Sequence, residues 1–139
     1  MSTDYLEALI EAESIEALWD MHSQHLAEIG FDRVIYGFTR FWSRDHWGDP
    51  DDIMVLSNHP KAYTEAYIKD GHYFKAPLAK WAMENNGACS WSWSKRRGET
   101  VGFTKDEMEV IEFNRKYGIT AGYTVSYNRD YSRDRAAMA

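Results

Sequence analysis

Between residues 5 and 29 the apolar side chains recur at helical steps. Ile15, Leu18, Trp19, His22, Leu26 and Ile29 fall three or four residues apart and so share one face. Ser14 stands where a side-chain oxygen caps a helix, and Gly30 where a helix stops. Tyr5, Leu6, Leu9 and Ile10 form an earlier, shorter run, and the Glu-rich stretch 11–14 between the two suggests a joint. The period then changes. Arg33–Trp42 (RVIYGFTRFW) is β-branched and aromatic, with Val34, Tyr36 and Phe38 on one side and Ile35, Thr39 and Phe41 on the other, and it reads as a central strand. Ser43–Asp52 carries Arg, His, Gly, Pro and Asp, the chemistry of a turn, and Ile53–Ser57 reads as a second strand antiparallel to the first.

Pro60 opens a predicted helix to about Lys69, and Pro77 another to about Asn85, since the missing N–H of proline is harmless in a first turn. Gly87 stops the second. Ala88–Ser94 alternates strictly, Cys89, Trp91 and Trp93 against serines 90, 92 and 94, which predicts a half-buried strand. Thr104 and Glu107 have the spacing of a capping box, followed by Met108, Ile111, Glu112 and Arg115 on a helix that Gly118 ends. Gly122–Tyr127 and Arg135–Ala139 are further strand candidates. This order, without repeat, low-complexity tract or linker, predicts an α+β sheet flanked by helices and a single domain over residues 1–139.

Composition narrows the picture. Twenty-one aromatic residues in 139 (6 Trp, 9 Tyr, 6 Phe) are too many large rings for a disordered chain. A net charge of −6 gives no general attraction to phosphate backbones. The single Cys89 excludes an internal disulfide and a multi-thiolate metal site, and the N-terminal residues lack a basic and apolar leader, which points to a reducing cytoplasm. No stretch approaches the roughly 20 apolar residues that span a bilayer.

Candidate chemistry is sparse. His22 and His25 have a spacing compatible with two metal ligands, but no cluster elsewhere completes a site, and packed or surface histidines are the simpler reading. Cys89 with His72 offers a nucleophile and a base, yet a strand cysteine among tryptophans is more often a small buried hydrophobe. Asp49, Asp51 and Asp52 lack the ligand pattern of a calcium loop. With no phosphate-cradling glycine loop and no Ser/His/Asp signature, neither an enzyme nor a cofactor is expected. More unusual are the polar-tipped aromatics. His59, Tyr63 and Tyr67 lie four apart on one helix face, and Phe74, Trp81, Trp91 and Trp93 follow. They suit either an aromatic core or an apolar pocket with a few polar handles.

The segments IGFDRVIYGFTRFW, SNHPKAYTEAYIKDGHYFKAPLAKW, CSWSW and EFNRKYGITAGYTVS, in that order and spacing, resemble the N-terminal ligand-binding domain of LuxR-type quorum-sensing receptors along nearly the whole chain. The family motif runs Tyr-Pro-x-x-Trp-x-x-x-Tyr, then Asp-Pro nine residues after the last Tyr, then Trp fifteen beyond that Asp. Here those places hold His59, Pro60, Tyr63, Tyr67, Ala76, Pro77 and Trp91, with Gly118 and Gly122 matching a late glycine pair.

The resemblance implies an antiparallel sheet of about five strands between helical layers, with an acyl-homoserine lactone held between the sheet and one layer. In that family the helix Tyr donates to the acyl carbonyl, the Trp indole to the lactone carbonyl, and the Asp accepts the amide N–H. His59, Tyr63 and Ala76 depart from the motif at Tyr, Trp and Asp, so a changed head-group reader is expected behind apolar walls from Tyr67, Trp91, Phe38 and Trp81. The implied ligand-binding set is Tyr63, Tyr67, His59, Trp91, Ala76, Phe38, Trp81, Phe74 and Ser126. Family members continue into the rest of the ligand domain and a DNA-binding helix-turn-helix, whereas residues 1–139 hold no recognition helix. The implied protein is an excised or naturally short sensor of an acyl-homoserine lactone or similar amphiphile, without direct DNA contact or membrane attachment. It would act as a homodimer or as a heterodimer with a related receptor. The alternative is a ligand-independent relative that pairs with a full-length receptor and inhibits it.

Overall fold

The computed structural model describes residues 3–40, 50–128 and 135–139. The chain divides into two compact units, Met1–Val34 and Ile35–Ala139.

The first unit is a pair of helices, α1 (Thr3–Ile10) and α2 (Ile15–Glu28), broken at the Glu-rich joint. Ser14 caps α2 by accepting from the Ala17 N–H at 3.0 Å, and Gly30, at φ +105°, follows its last turn. Tyr5 ties the two together. Its ring stacks on His25 at 3.8 Å between centroids, and its hydroxyl and His22 Nδ1 are joined by a 2.6 Å hydrogen bond. The two histidines that have metal-ligand spacing are thus engaged with an aromatic partner.

The second unit is built on five antiparallel strands: β1 (Ile35–Thr39), β2 (Met54–Ser57), β3 (Gly87–Ser90), β4 (Tyr123–Asn128) and β5 (Arg135–Met138). Their order across the sheet is β2-β1-β5-β4-β3. The fold class is α+β, as expected. β1 is an interior strand, but the centre belongs to β5, which sets Ala136 opposite both Phe38 and Tyr127. The expected ends of β1 at Phe41 and Trp42, and the turn residues 43–49 with Asp49, lie outside the described residues.

Between β2 and β3 run α3 (Lys61–Lys69), α4 (His72–Lys75) and α5 (Ala79–Glu84); α6 (Trp91–Val101) and α7 (Lys105–Lys116) precede β4. Pro60 is the N-cap of α3, as its fixed φ suits. α4 is a single turn that no periodicity announces. Gly71, at φ +72°, pivots the chain into it, and a Cβ there would sit 2.8 Å from the Phe74 ring.

One expectation is overturned. The alternating run Ala88–Ser94 is a strand only as far as Ser90, and Trp91 and Trp93 belong to α6. Ser90 is the reason: its side chain accepts from the Ser92 N–H at 3.2 Å and caps a helix whose remaining residues, SKRRGETV, have no strand pattern.

The capping box at Thr104 forms in full, Thr104 Oγ1 accepting from the Glu107 N–H at 3.1 Å and Glu107 Oε1 from the Thr104 N–H at 3.0 Å. The second carboxylate oxygen accepts from Arg97 Nη2 at 2.6 Å, which fastens α6 to the start of α7. Thr104→Ala is expected to cost about 1 kcal/mol in urea denaturation. A loss below about 0.3 kcal/mol would show that the Glu107–Arg97 pair alone holds this end.

α5 packs on β4, α3 on α4, and α4 on α7. Two interiors result. One lies under α5, where Ala82, Ser126, Arg135 and Ala136 are buried; the other is aromatic and joins α3, α4 and α7 around Tyr63, His72 and Val110.

Candidate functional site

His59, just ahead of α3, and Tyr63 and Tyr67 on it form a stack of rings. His59 and Tyr63 are 4.3 Å apart at 19°, and Tyr63 and Tyr67 5.5 Å apart at 15°. Phe113 of α7 lies parallel to Tyr63 at 5.1 Å, and Tyr117 meets it edge-on at 5.1 Å. Tyr63 is therefore enclosed, 3% exposed. Burial, with lesser effects from Tyr67 and Tyr117, pushes its pKa far above the usual 10. Its hydroxyl donates to Asn114 Oδ1 at 2.8 Å. The proton expected to meet a ligand is spent inside the fold, and the oxygen retains only acceptor capacity.

Tyr67 differs. Its ring is half-buried against Tyr63, and among the described residues its hydroxyl makes no hydrogen bond. Burial pushes its pKa up to about 12, so at neutral pH it is a standing O–H donor. Next to it comes His72, the first residue of α4, 4% exposed. The imidazole packs on Phe113 at 4.3 Å and on Tyr67 at 6.4 Å, and its Nδ1 is buried without a hydrogen-bond partner among the described residues.

The remaining members of the expected set are spread. Ala76 ends α4, half-buried, its N–H donating to the His72 carbonyl at 3.0 Å. Trp81 on α5 is half-buried, its carbonyl accepting from Asn85. Phe38 is a half-buried residue of β1, opposite Met54 and Ala136. Phe74 is 42% exposed and meets Tyr73 edge-on. Trp91 begins α6; its indole N–H donates to Thr124 Oγ1 at 3.0 Å, and Gly122 lies close against its ring. Ser126 is fully buried, donating to the Ala82 carbonyl at 2.6 Å and accepting from Arg135 Nη2 at 3.2 Å. The structure thus brings His59, Tyr63 and Tyr67 together and joins His72 and Asn114 to them, while Ser126 and Trp91 have internal partners. A spacing rule could have found His72, since it precedes Ala76 by one helical turn; Asn114 has no local signal, because its partner lies 51 residues away.

Cys89 has no reactive character: burial pushes its thiol pKa up, against a smaller opposing pull from Arg96, so it stays protonated at neutral pH. Among the described residues no group of three or more His, Cys, Asp or Glu could hold a metal ion, and no helix is long and apolar enough to cross a membrane.

Solved structures share this fold. CepR2 of Burkholderia cenocepacia, an N-acylhomoserine lactone dependent LuxR-family transcription factor, superposes with a TM-score of 0.70 at 19% identity, over 98% of this chain and 73% of that one. SdiA of Escherichia coli gives 0.72 at 12% identity, over 98% of this chain and 52% of that one, so this chain spans about half of its length. At such identities the likeness is one of fold. The sequence profile of the autoinducer binding domain matches residues 14–138, and the chain belongs to that family. No curated protein sequence matches it.

Proposed function

We propose that this domain is a non-enzymatic receptor for an acylated small-molecule signal, an acyl-homoserine lactone or an amphiphile of similar size, in transcriptional regulation of the LuxR type. Family membership supports a signal-binding role, and CepR2, which shares the fold, is itself described as dependent on an N-acylhomoserine lactone. Within the chain one observation carries the reading: Tyr67, its ring stacked at 5.5 Å on Tyr63, makes no hydrogen bond through its hydroxyl among the described residues, so that O–H is available to donate to a ligand carbonyl. Phe38, Trp81 and Trp91 supply apolar surface for an acyl chain. Tyr63 and Trp91 give their protons to Asn114 and Thr124, and Ala76 has no polar side chain, so the head is read by other groups than in the family motif.

Tryptophan fluorescence of the purified protein titrated with octanoyl-homoserine lactone tests this. A saturable change is expected. Tyr67→Phe keeps the ring and deletes the donor, a loss of roughly 0.5–1.5 kcal/mol, which weakens binding by about 2- to 12-fold while the melting temperature holds. A flat titration, together with a solvent extract of the cell-expressed protein that contains no small molecule by mass spectrometry, would reject the receptor reading.

A further inference from the structure

α1 is eight residues long, short of what a helix needs to hold itself in water, and none of its residues is buried. Tyr5 carries two ties from it to α2. The ring stacks on His25 at 3.8 Å between centroids and 18° between planes, and the hydroxyl meets His22 Nδ1 at 2.6 Å. Burial pushes the Tyr5 pKa above its usual 10, so the phenol keeps its proton and donates it to the lone pair of an imidazole protonated on Nε2. A separation that short holds one hydrogen between the two atoms and no more. Once Nδ1 carries a hydrogen of its own, the Tyr5 O–H has to turn away.

We propose that Tyr5 and His22 form a latch that acid releases: neutral His22 accepts the Tyr5 proton and holds α1 against α2, and a proton on Nδ1 breaks that bond and frees α1. The surroundings of His22 favour its neutral form. The ring is half-buried and tilted against Trp19 at 5.9 Å, and a charge on His25, one turn along α2, opposes a second charge on His22. Burial first, and His25 second, therefore set its pKa below the usual 6.5. The remaining titratable side chains of the two helices are the carboxylates Asp4, Glu7, Glu16, Asp20 and Glu28, all exposed and so screened by solvent, with Glu28 lining the cleft beside Tyr5 and His25. Above pH 6.5 His22 is neutral whether the latch is shut or open, and the bond is fully present. Below it the open form takes up a proton that the shut form resists, so the latch loosens as pH falls, by up to about tenfold per pH unit until the shut form protonates as well.

Hydrogen–deuterium exchange of the full chain at pH 7.5 and pH 5.5, with exchange times scaled for the intrinsic effect of pH, reads the latch at the amides of residues 7–11. Their protection should be about 5-fold lower at pH 5.5, while that of α7 holds. His22→Gln cannot titrate and should show one level at both pH values. Tyr5→Phe keeps the stack on His25 and deletes the O–H, so at pH 7.5 it should show the protection that the wild-type chain has at pH 5.5. In the wild-type chain the His22 ring resonances should titrate below pH 6.5, in step with the α1 amides, a readout that needs no variant to fold. Equal protection at the two pH values would mean that the stack on His25 alone holds α1, and the latch is refuted. A fall that His22→Gln retains, a fall shared by α7, or a His22 titration at or above pH 6.5 would each overturn it too.

Discussion

Replacing Arg135 with methionine is expected to destabilise the fold by roughly 3–5 kcal/mol. Arg135 lies at the start of β5, 3% exposed, opposite Thr39 of β1 and Asn128 of β4. Its guanidinium reaches the end of α5, where Nε donates to the Ala82 carbonyl at 2.6 Å and Nη2 to the Asn85 carbonyl and to Ser126 Oγ. Those carbonyls belong to the last turn of a helix, where four acceptors have no intrahelical partner and a cation is favoured. Methionine fills much of the volume but takes the guanidinium donors from all three acceptors, leaving the Ala82 carbonyl with Ser126 alone. Lysine is a poor rescue, because a single ammonium on a flexible stem does not reproduce the fork that serves three acceptors at once. The check is the urea midpoint of Arg135→Met and Arg135→Lys beside the parent. A loss under about 1 kcal/mol for methionine would mean that Ser126, which also donates to Ala82, suffices to hold α5 on the sheet.

The second large effect is alkaline. Tyr67 ionises near pH 10 in the unfolded chain and near 12 in the folded one, and Tyr63 is held up further still. Below pH 10 both phenols are protonated in both states, and their contribution is fully present. Above pH 10 the unfolded chain sheds these protons while the folded one keeps them, so stability falls as pH rises, by about 1.4 kcal/mol per unit for each tyrosine. Tyr67 alone then removes on the order of 2 kcal/mol between pH 10 and pH 12. Urea melts across that range should show the midpoint dropping, and Tyr67→Phe should flatten the slope by its share. An unchanged slope in that variant would place the Tyr67 hydroxyl in contact with solvent.

Local signals in the sequence were sufficient where the chain's choice is local. Ser14, Thr104 with Glu107, and Pro60 each mark a helix start with a mechanism of one to three residues, and each is found in place. The alternation from Ala88 to Ser94 misled because two structures compete for it: period two favours a strand throughout, while one serine hydroxyl at position 90 is enough to begin a helix. α4 is too short for any period, and only the positive φ of Gly71 betrays a change of direction. The candidate site follows the same division. Spacing alone puts His59, Tyr63 and Tyr67 on one face. That the Tyr63 proton is already taken by Asn114, and that His72 is packed against Phe113, depends on α7 folding back over α3 and α4, which no short motif encodes.

The place of β5 at the centre of the sheet also governs the order in which the second unit can assemble. β2 with β1, and β3 with β4, are antiparallel pairs that can each form without it, but β5 follows both in the chain and joins them through Gly37 to Ala137 on one side and Tyr127 to Ala136 on the other. Until it inserts, two half-sheets stand with bare backbone edges at β1 and β4, open to pairing with any other extended chain. Closing that gap brings residues about a hundred positions apart into register, a costly entropy step that slows folding. The slot between β1 and β4 is therefore the region most exposed to mispairing during synthesis, and a short peptide copied from residues 135–139 is the natural competitor for it.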